Sequence, residues 1–426
     1  MDDPARRPRV VIIGGGFAGL SAARALARAP VDVLIIDRTN HHVFQPLLYQ
    51  VATTALAPSD ISAPIRWILR RQKNVATRLG SVQAIDRTTR TLRLAEDDAP
   101  VPYDYLVVAS GARHAYFGHP EWEAVAPGLK SLEDARRIRR RILLALERAE
   151  WEADAAERDA QMTFVIVGGG PTGVELAGVL PEMCRGAFRP DFRRIDTSKV
   201  RVVLVEGGPR LLPSFPPSLS ARAAHDLARL RVEVRTSTFV TDVDADGVSM
   251  GAERIAARSV FWAAGNAASA LSRLLGAPLD AAGRVLARSD LSLPDDDRVF
   301  VAGDIAAMPW TEGTFVPGVA PAATQMGQRA ARNIRARIAG EPTTPFRYVN
   351  TGELATIGRH MAVASLAGGR IRIAGYVAWV FWLFLHIMYL VGFRNRVSVL
   401  LQWAYNYIFY ERGVRLISEA EDAVRG

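Results

Sequence analysis

The chain has 426 residues, 49% of them hydrophobic and 23% charged, which is the composition of a globular protein and excludes wholesale disorder. A chain of this length is expected to form two or three domains, each with its own core. The formal net charge of +9 favours an anionic partner. Because the basic residues are scattered through predicted helices without a recognition motif, we expect dinucleotide phosphates or acidic lipid and no nucleic acid. The single cysteine, Cys184, excludes an internal disulfide and a redox-active cysteine pair.

The N-terminal region contains a predicted strand, a glycine-rich turn and a predicted helix. Residues 1–9 contain no apolar leader, so we expect no signal peptide and a main body in the cytoplasm. After the strand, Gly14, Gly16 and Gly19 match the pattern G-x-G-x-x-G. These glycines allow a tight turn, close approach of a pyrophosphate and close helix packing, and Asp37 at the end of the next strand is placed to bind a ribose hydroxyl. This βαβ unit predicts a dinucleotide site rather than a turn without a ligand.

A second unit of the same kind begins at residue 163. Gly168, Gly170 and Gly173 follow its first strand, and Glu206 ends the second strand. Residues 181–199 look like an insertion that lengthens the spacing between the glycines and the acid. Two such units predict two nucleotide sites.

The acidic residue of the second unit bears on which nicotinamide nucleotide is bound. The carboxylate of Glu206 would repel a 2′-phosphate, which favours NADH over NADPH, although nearby Arg210 leaves some room for a phosphate.

A third strand, residues 299–302, ends in Gly303 and Asp304. A carboxylate at this turn is suited to binding the ribityl chain of a flavin, and the alternative is an aspartate that only satisfies turn amides. The simplest chemistry for two dinucleotides in one chain is hydride transfer from a reduced nicotinamide to FAD. Neither a catalytic triad nor a metal site is predicted, and the histidines, including His41 and His42, lack ligand-like partners.

The C-terminal region is apolar and aromatic. Residues 376–393 carry no charge and reach the lower length limit of a transmembrane helix, so a single spanning helix and a peripheral or monotopic attachment both stay open. Residues 397–410 predict an amphipathic helix with Ser398, Gln402 and Asn406 on one face. Flanking arginines and clustered aromatic residues, Tyr410 among them, favour attachment to a membrane surface with anionic lipid over a homodimer interface.

Several motifs together resemble the type II NADH dehydrogenases, the single-subunit, non-proton-pumping NADH:quinone oxidoreductases. The most specific is the stretch Asp-Arg-Thr-Asn-His-His-Val-Phe-Gln-Pro-Leu-Leu-Tyr-Gln-Val-Ala at residues 37–52. Residues 168–175, 303–304, 355–359 and 392–396 also match the family pattern. The resemblance covers nearly the whole chain.

The resemblance implies where each ligand binds. FAD is expected at residues 14–37 and 303–304, NADH at residues 168–206, and a quinone near the flavin edge. Glu175 resembles the acid proposed to sit between the nicotinamide and the quinone, although a glutamate near a helix start also complements the helix dipole.

A second catalytic residue follows from the same resemblance. Gln325 keeps the second of two glutamines that the family often places near the quinone. Pro321 replaces the first glutamine, and Thr351 stands where many relatives carry lysine, which puts the quinone contacts in doubt.

The predicted fold class is α/β, with two Rossmann-type dinucleotide-binding domains and a C-terminal membrane-associating helical segment. The FAD domain is expected at residues 1–112 and 283–345, the NADH domain at 113–282, and the membrane-attachment region at 346–426. The predicted enzyme is an FAD-dependent NADH:quinone oxidoreductase at the cytoplasmic face of the cell membrane. The alternatives are a soluble-acceptor NAD(P)H oxidase or ferredoxin-type reductase, and a redox-sensing protein that binds dinucleotides as signals.

Overall fold

The computed structural model describes residues 6–311, 313–409 and 413–417. The described residues fall into two compact units. Within the described residues, unit 1 comprises residues 6–43, 62–113 and 266–350, and unit 2 comprises residues 44–61, 114–265 and 351–417. Residues 44–61 and the described part of residues 351–426 thus belong to unit 2, whereas the boundaries predicted for the FAD, NADH and membrane-attachment regions stay predictions.

The helices of the described residues are α1 (Phe17–Ala25), α2 (Leu48–Ala52), α3 (Ile65–Leu69), α4 (Trp122–Val125), α5 (Leu132–Trp151), α6 (Ala155–Gln161), α7 (Pro171–Arg185), α8 (Pro217–Arg229), α9 (Leu271–Leu274), α10 (Ala320–Ile338), α11 (Tyr376–Tyr389) and α12 (Phe393–Phe409). The strands are β1 (Arg9–Ile13), β2 (Asp32–Asp37), β3 (His41–Val43), β4 (Ser62–Pro64), β5 (Val75–Leu79), β6 (Val82–Asp86), β7 (Thr91–Leu94), β8 (Asp97–Pro102), β9 (Tyr105–Val108), β10 (Ala112–His114), β11 (Thr163–Val167), β12 (Arg201–Val205), β13 (Val232–Arg235), β14 (Asp242–Val243), β15 (Gly247–Met250), β16 (Glu253–Ala256), β17 (Ser259–Trp262), β18 (Asn266–Ala268), β19 (Val285–Leu286), β20 (Val299–Val301), β21 (Ala306–Ala307), β22 (Glu353–Ile357), β23 (Met361–Leu366) and β24 (Ile371–Gly375).

Unit 1 is built on a parallel sheet with the strand order β20-β9-β1-β2-β5. Val10, Val11 and Ile12 are fully buried, as expected for a central parallel strand covered on both faces. Helices α1 and α10 pack so closely that a Cβ added at Gly327 would lie 2.0 Å from the carbonyl oxygen of Ala18. This close packing places the middle of α10 against the start of α1, the helix that follows the glycine turn after β1.

Unit 2 repeats this plan with a parallel sheet of order β13-β12-β11-β17. It also contains the antiparallel sheet β22-β23-β24. Helix α7 meets this second sheet at bare backbone, because a Cβ added at Gly178 would lie 2.5 Å from the amide nitrogen of Gly358. The contact fixes β22 against the helix that begins at the nucleotide glycines.

The C-terminal region of unit 2 forms two helices rather than one. Helix α11 ends at Tyr389 and α12 begins at Phe393, so the alternative of one transmembrane helix over residues 376–393 is wrong. Across the described ranges, no helix has both the length and the apolar character needed to cross a membrane. The predicted amphipathic helix matches α12 to Phe409, and Tyr410 lies outside the described residues.

Candidate functional site

The glycine turn after β1 has the shape of a pyrophosphate cradle. Gly14 has φ +102°, a left-handed conformation that favours glycine, and an added Cβ would lie 2.4 Å from the carbonyl oxygen of Ala109. A Cβ at Gly19 would lie 1.8 Å from the carbonyl oxygen of Gly14, so the helix packs directly on the turn. A Cβ at Gly16 would have no atom within 4 Å, which leaves open space at the start of α1 where backbone amides can bind an anion.

Asp37 closes this crevice from the end of β2. One of its carboxylate oxygens accepts a hydrogen bond from the amide of Gly15 at 2.6 Å, and the other accepts from the amide and hydroxyl of Thr39 at 2.7 and 2.9 Å. The carboxylate therefore stands beside the glycine turn in a fixed orientation, as a ribose-binding acid requires.

Asp304 lines a cavity of unit 1 with a volume of about 190 Å³. Gly303 has φ +81°, and both residues line the cavity together with Gly318. A Cβ at Gly318 would lie 3.3 Å from the carboxylate of Asp304, so the missing side chain keeps that carboxylate accessible from the cavity. The strand end, the acid and the open glycine turn fit the polyhydroxylated chain and diphosphate of a flavin dinucleotide.

The glycine turn after β11 in unit 2 repeats the geometry of the first. Gly168 has φ +109°, a Cβ at Gly173 would lie 1.9 Å from the carbonyl oxygen of Gly168, and a Cβ at Gly170 would have no atom within 4 Å. Glu206 accepts hydrogen bonds from the amides of Gly169 and Gly208, both at 2.6 Å. Despite the insertion, the predicted acid lies beside the predicted glycines.

Arg210, which sequence reasoning left available for a 2′-phosphate, makes hydrogen bonds to its own loop and to α8 through both terminal guanidinium nitrogens. It donates to the carbonyl oxygens of Pro213 and Phe215, both at 2.6 Å, and to the hydroxyl of Ser220 at 2.7 Å. These bonds hold the turn between β12 and α8, which favours a nucleotide without the extra phosphate.

Glu175 is a buried carboxyl group on α7. The amide of Thr356 in β22 donates to it over 3.5 Å, a long hydrogen bond. Burial raises the pKa of Glu175 to about 8, so the group is mostly protonated at pH 7. A protonated acid in this position has a proton to donate.

The raised pKa of Glu175 predicts a pH-dependent stability. The folded protein binds this proton more tightly than the unfolded protein, in which the glutamate has a pKa near 4.5. The contribution of this proton to the free energy of unfolding is therefore complete below pH 4.5 and is lost as the pH rises through 8. Relative to the parent, Glu175→Gln should therefore gain up to about 1.4 kcal/mol of unfolding free energy for each pH unit in this window. Thermal unfolding of both proteins between pH 5 and 8.5 measures the difference, with Glu147→Gln at an exposed position as control. A constant difference across this range would contradict the burial of a protonated carboxyl.

Gln325 lies on α10 in unit 1. Its amide group donates to the carbonyl oxygen of Val349 at 2.9 Å and accepts from the Val349 amide at 3.0 Å. Pro321 lies in the first turn of the same helix, where a missing N–H is tolerated. The structure thus places Gln325 on the backbone of residue 349, and its role toward a quinone stays a prediction.

A cavity of about 570 Å³ in unit 2 was missed by sequence reasoning. Its walls come mainly from α11 and α12, with smaller contributions from α2 and α7, and aromatic side chains supply much of the lining. The lining residues with polar side-chain groups include Tyr49, Gln50, Thr53, Glu182, Arg359 and Asn406. A largely apolar cavity with a few polar groups is typical of a site for an apolar ligand with a polar head.

Hydrogen bonds fix the polar end of this cavity. The indole of Trp403 donates to Gln50 at 2.6 Å, Gln50 donates to the hydroxyl of Tyr49 at 3.0 Å, and that hydroxyl is 3.0 Å from the hydroxyl of Thr356. Thr356 is also the residue whose amide reaches Glu175. The cavity and the protonated acid are therefore linked by one series of polar contacts.

Helix α12 packs its polar face against the rest of unit 2. Ser398 donates to Asp60 at 3.1 Å and Asn406 donates to the carbonyl oxygen of Ala55 at 3.2 Å. The opposite face is exposed, with Leu401 at 65% and Ile408 at 66% accessibility. This inverts the usual arrangement of a surface helix, in which the apolar face is buried.

Comparisons with known proteins agree with this architecture. Residues 8–327 match the family model described as pyridine nucleotide-disulphide oxidoreductase, and residues 351–411 match the NDH2 C-terminal domain. The type II NADH:quinone oxidoreductase NdhA of Mycobacterium tuberculosis is 44% identical over 97% of this chain and 90% of its own length. The type II NADH:quinone oxidoreductase of Haemophilus influenzae is 31% identical over 84% of this chain and 86% of its own. The solved structure of NDH2 from Plasmodium falciparum in complex with NADH has the same fold, with a TM-score of 0.87 at 19% identity over 96% of this chain and all of that chain.

Two glycine cradles on parallel sheets, each closed by an acid, define a pyridine nucleotide-dependent flavoprotein of the pyridine nucleotide-disulphide oxidoreductase class. Its single cysteine, Cys184, is buried and cannot supply the thiol pair of the disulphide-reducing members. The chain belongs to the type II NADH:quinone oxidoreductases. This membership confirms the predicted fold class, family, enzyme class and FAD cofactor.

Proposed function

We propose that this chain oxidises NADH bound in unit 2 and reduces a membrane quinone by way of FAD bound in unit 1. The observation that carries the proposal is the repeated crevice, in which a glycine turn with open space at Gly16 or Gly170 lies beside Asp37 or Glu206. FAD held in the crevice of unit 1 would supply the two-electron chemistry between NADH as hydride donor and the quinone as acceptor.

The chain's own residues bind and orient the two nucleotides in this proposal. The helix starts at Gly16 and Gly170 bind the diphosphates through backbone amides, and Asp37 and Glu206 bind the ribose hydroxyls. Asp304 binds the hydroxylated chain of the flavin. Hydride transfer itself requires only that the reacting rings are held in place and kept from water.

The quinone head group fits the polar end of the 570 Å³ cavity in unit 2. Gln50 and Tyr49 line that end and offer groups that hydrogen-bond to a carbonyl oxygen, while the aromatic walls of α11 and α12 suit an isoprenoid tail. The net reaction of NADH with a quinone takes up one proton, because the hydride from NADH supplies the other hydrogen of the quinol, and Glu175 holds a proton next to Thr356. We assign Glu175 the role of proton donor on this basis.

Membrane attachment is the proposed role of α11 and α12. Their exposed faces are apolar, and burial lowers the pKa of His386 to about 4, so this histidine of α11 is neutral at pH 7. Arg370, Arg372 and Arg394 are exposed beside these helices and suit anionic headgroups. We propose a peripheral or monotopic attachment of this apolar face to the membrane at the cytoplasmic side. The alternative is that the same apolar face forms a homodimer.

The colour of the flavin tests the proposed function. We expect the purified protein to be yellow, to bleach when NADH is added without oxygen, and to regain its colour within seconds when a quinone follows. Absorbance at the flavin band in stopped-flow records both steps. Bleaching without recolouring by quinone, but with rapid recolouring by oxygen or a ferredoxin, would reject the quinone role and favour a soluble-acceptor enzyme.

A further inference from the structure

An exposed phenylalanine lies beside the crevice of unit 2. Phe239 follows β13, the strand next to β12 in the sheet, and 73% of its surface is accessible. A ring this exposed buries little apolar surface within the chain itself. Its position is nevertheless fixed by the backbone around it.

Two hydrogen bonds tie the segment before Phe239 to the turn after Glu206. The amide of Ser237 donates to the carbonyl oxygen of Gly208 at 2.8 Å, and the amide of Thr238 donates to the carbonyl oxygen of Glu206 at 3.0 Å. The ring lies against the bare backbone of Gly207, because a Cβ added there would lie 2.8 Å from a ring carbon of Phe239. Because residue 207 is a glycine, the ring of Phe239 can pack on the backbone directly after Glu206, the proposed ribose-binding acid.

The surroundings of this ring define what it is suited to bind. Glu206 accepts from the amides of Gly169 and Gly208, which orients its carboxylate at the adenosine end of the crevice. The nearby cation Arg235 is paired with Glu233 and Glu253, and Arg210 is bonded to loop carbonyl oxygens. Recognition at this end therefore depends on a carboxylate and an aromatic face, which suit a ribose and a flat base.

We propose that Phe239 is a stacking platform for the adenine base of NADH. The proposal rests on the proposed function, because it takes Glu206 as the acid that binds the adenosine ribose. Stacking of a base on an aromatic ring contributes binding free energy without hydrogen bonds to the edges of the base. Removal of such a ring weakens binding about fivefold or more. Phe239 would thus set affinity for the adenosine half of NADH rather than take part in hydride transfer.

Binding of ADP-ribose to the FAD-loaded protein, measured by isothermal titration calorimetry, tests the inference without any electron transfer. We expect Phe239→Ala to raise the Kd for ADP-ribose about fivefold or more and to raise the KM for NADH by a similar factor. Phe239→Trp should bind within about twofold of the parent or more tightly, because it retains an aromatic face. The matched control is Trp151→Ala, which removes another exposed ring at the end of α5, where the guanidinium of Arg194 lies over it, and should leave the Kd for ADP-ribose unchanged.

Two results would overturn the inference. One is an unchanged Kd for ADP-ribose in Phe239→Ala, and the other is a loss in Phe239→Trp as large as that in Phe239→Ala. Either result leaves the proposed function standing as long as NADH still bleaches the flavin of the parent protein. Failure of NADH to bleach the parent would instead reject the proposed function, whatever the ADP-ribose affinities.

Discussion

Gly16→Val is expected to give a folded, colourless protein that no longer oxidises NADH. The added side chain would point into space where no atom of the chain lies within 4 Å of a Cβ, so the protein itself can accept it. The same space is where a diphosphate must approach the amides at the start of α1. A clash of about 3 kcal/mol at this point lowers FAD affinity by roughly a hundredfold or more. Absorbance of the purified variant and release of flavin on heat denaturation measure the loss.

Gly170→Val is the matched change in the crevice of unit 2, because a Cβ at Gly170 also has no atom within 4 Å. We expect this variant to remain yellow and to bleach only at NADH concentrations roughly a hundredfold above those of the parent. Circular dichroism of both variants controls for folding. If Gly170→Val is colourless and Gly16→Val is yellow, the assignment of FAD to unit 1 and NADH to unit 2 is wrong.

The two crevices could be predicted from the sequence because their physical causes are local. A positive φ at Gly14 or Gly168 and a close helix contact at Gly19 or Gly173 each require glycine, whatever lies elsewhere in the chain. The acids come at the end of the next strand of the same βαβ unit, so parallel pairing brings Asp37 next to Gly15. Even an insertion before β12 leaves this geometry unchanged, since it lies outside the paired strands.

The 570 Å³ cavity could not be predicted in this way, because its parts are far apart in the sequence. Gln50 and Trp403 are joined by a hydrogen bond across 353 positions, and no periodicity reports such a contact. The same limit applies to Arg210, whose bonds to loop carbonyl oxygens depend on how the turn before α8 folds. The family resemblance singled out Gln325 as a predicted site residue, but it did not report the two hydrogen bonds of Gln325 to the backbone of Val349.

The C-terminal helices show what composition can and cannot establish. The apolar run over residues 376–393 indicated membrane affinity, but where a helix ends depends on backbone geometry at particular residues. Gly392 has φ +90°, a left-handed conformation between α11 and α12. The polar face of α12 was predicted correctly, yet an amphipathic pattern alone does not say which face meets the protein. The bonds of Ser398 and Asn406 to unit 2 decide this and leave the apolar face outward.

Leu401→Glu should therefore detach the protein from membranes. Leu401 is 65% exposed on the apolar face of α12. Its burial in a bilayer surface contributes about 1.5–3 kcal/mol to the free energy of membrane binding. A carboxylate at this position would oppose binding instead, because its transfer out of water is unfavourable. We expect binding to vesicles of phosphatidylcholine and phosphatidylglycerol to fall by roughly ten- to a hundredfold or more. Turnover with a long-chain quinone in those vesicles should fall with it, whereas turnover with a short-chain, water-soluble quinone should not.

Gln402→Glu provides the matched control, since it adds the same negative charge one residue further along the same helix. Gln402 shares the face of Ser398 and Asn406, which is bonded to unit 2, so this charge stays away from the lipid in a helix oriented as observed. Vesicle sedimentation should show Leu401→Glu largely in the supernatant and Gln402→Glu bound within about threefold of the parent. Equal release of both variants would mean that overall charge rather than the apolar face governs attachment. Retention of both, together with a shift of Leu401→Glu from dimer to monomer in analytical ultracentrifugation, would mean that the outward face of α12 binds a second copy of the chain instead of a membrane.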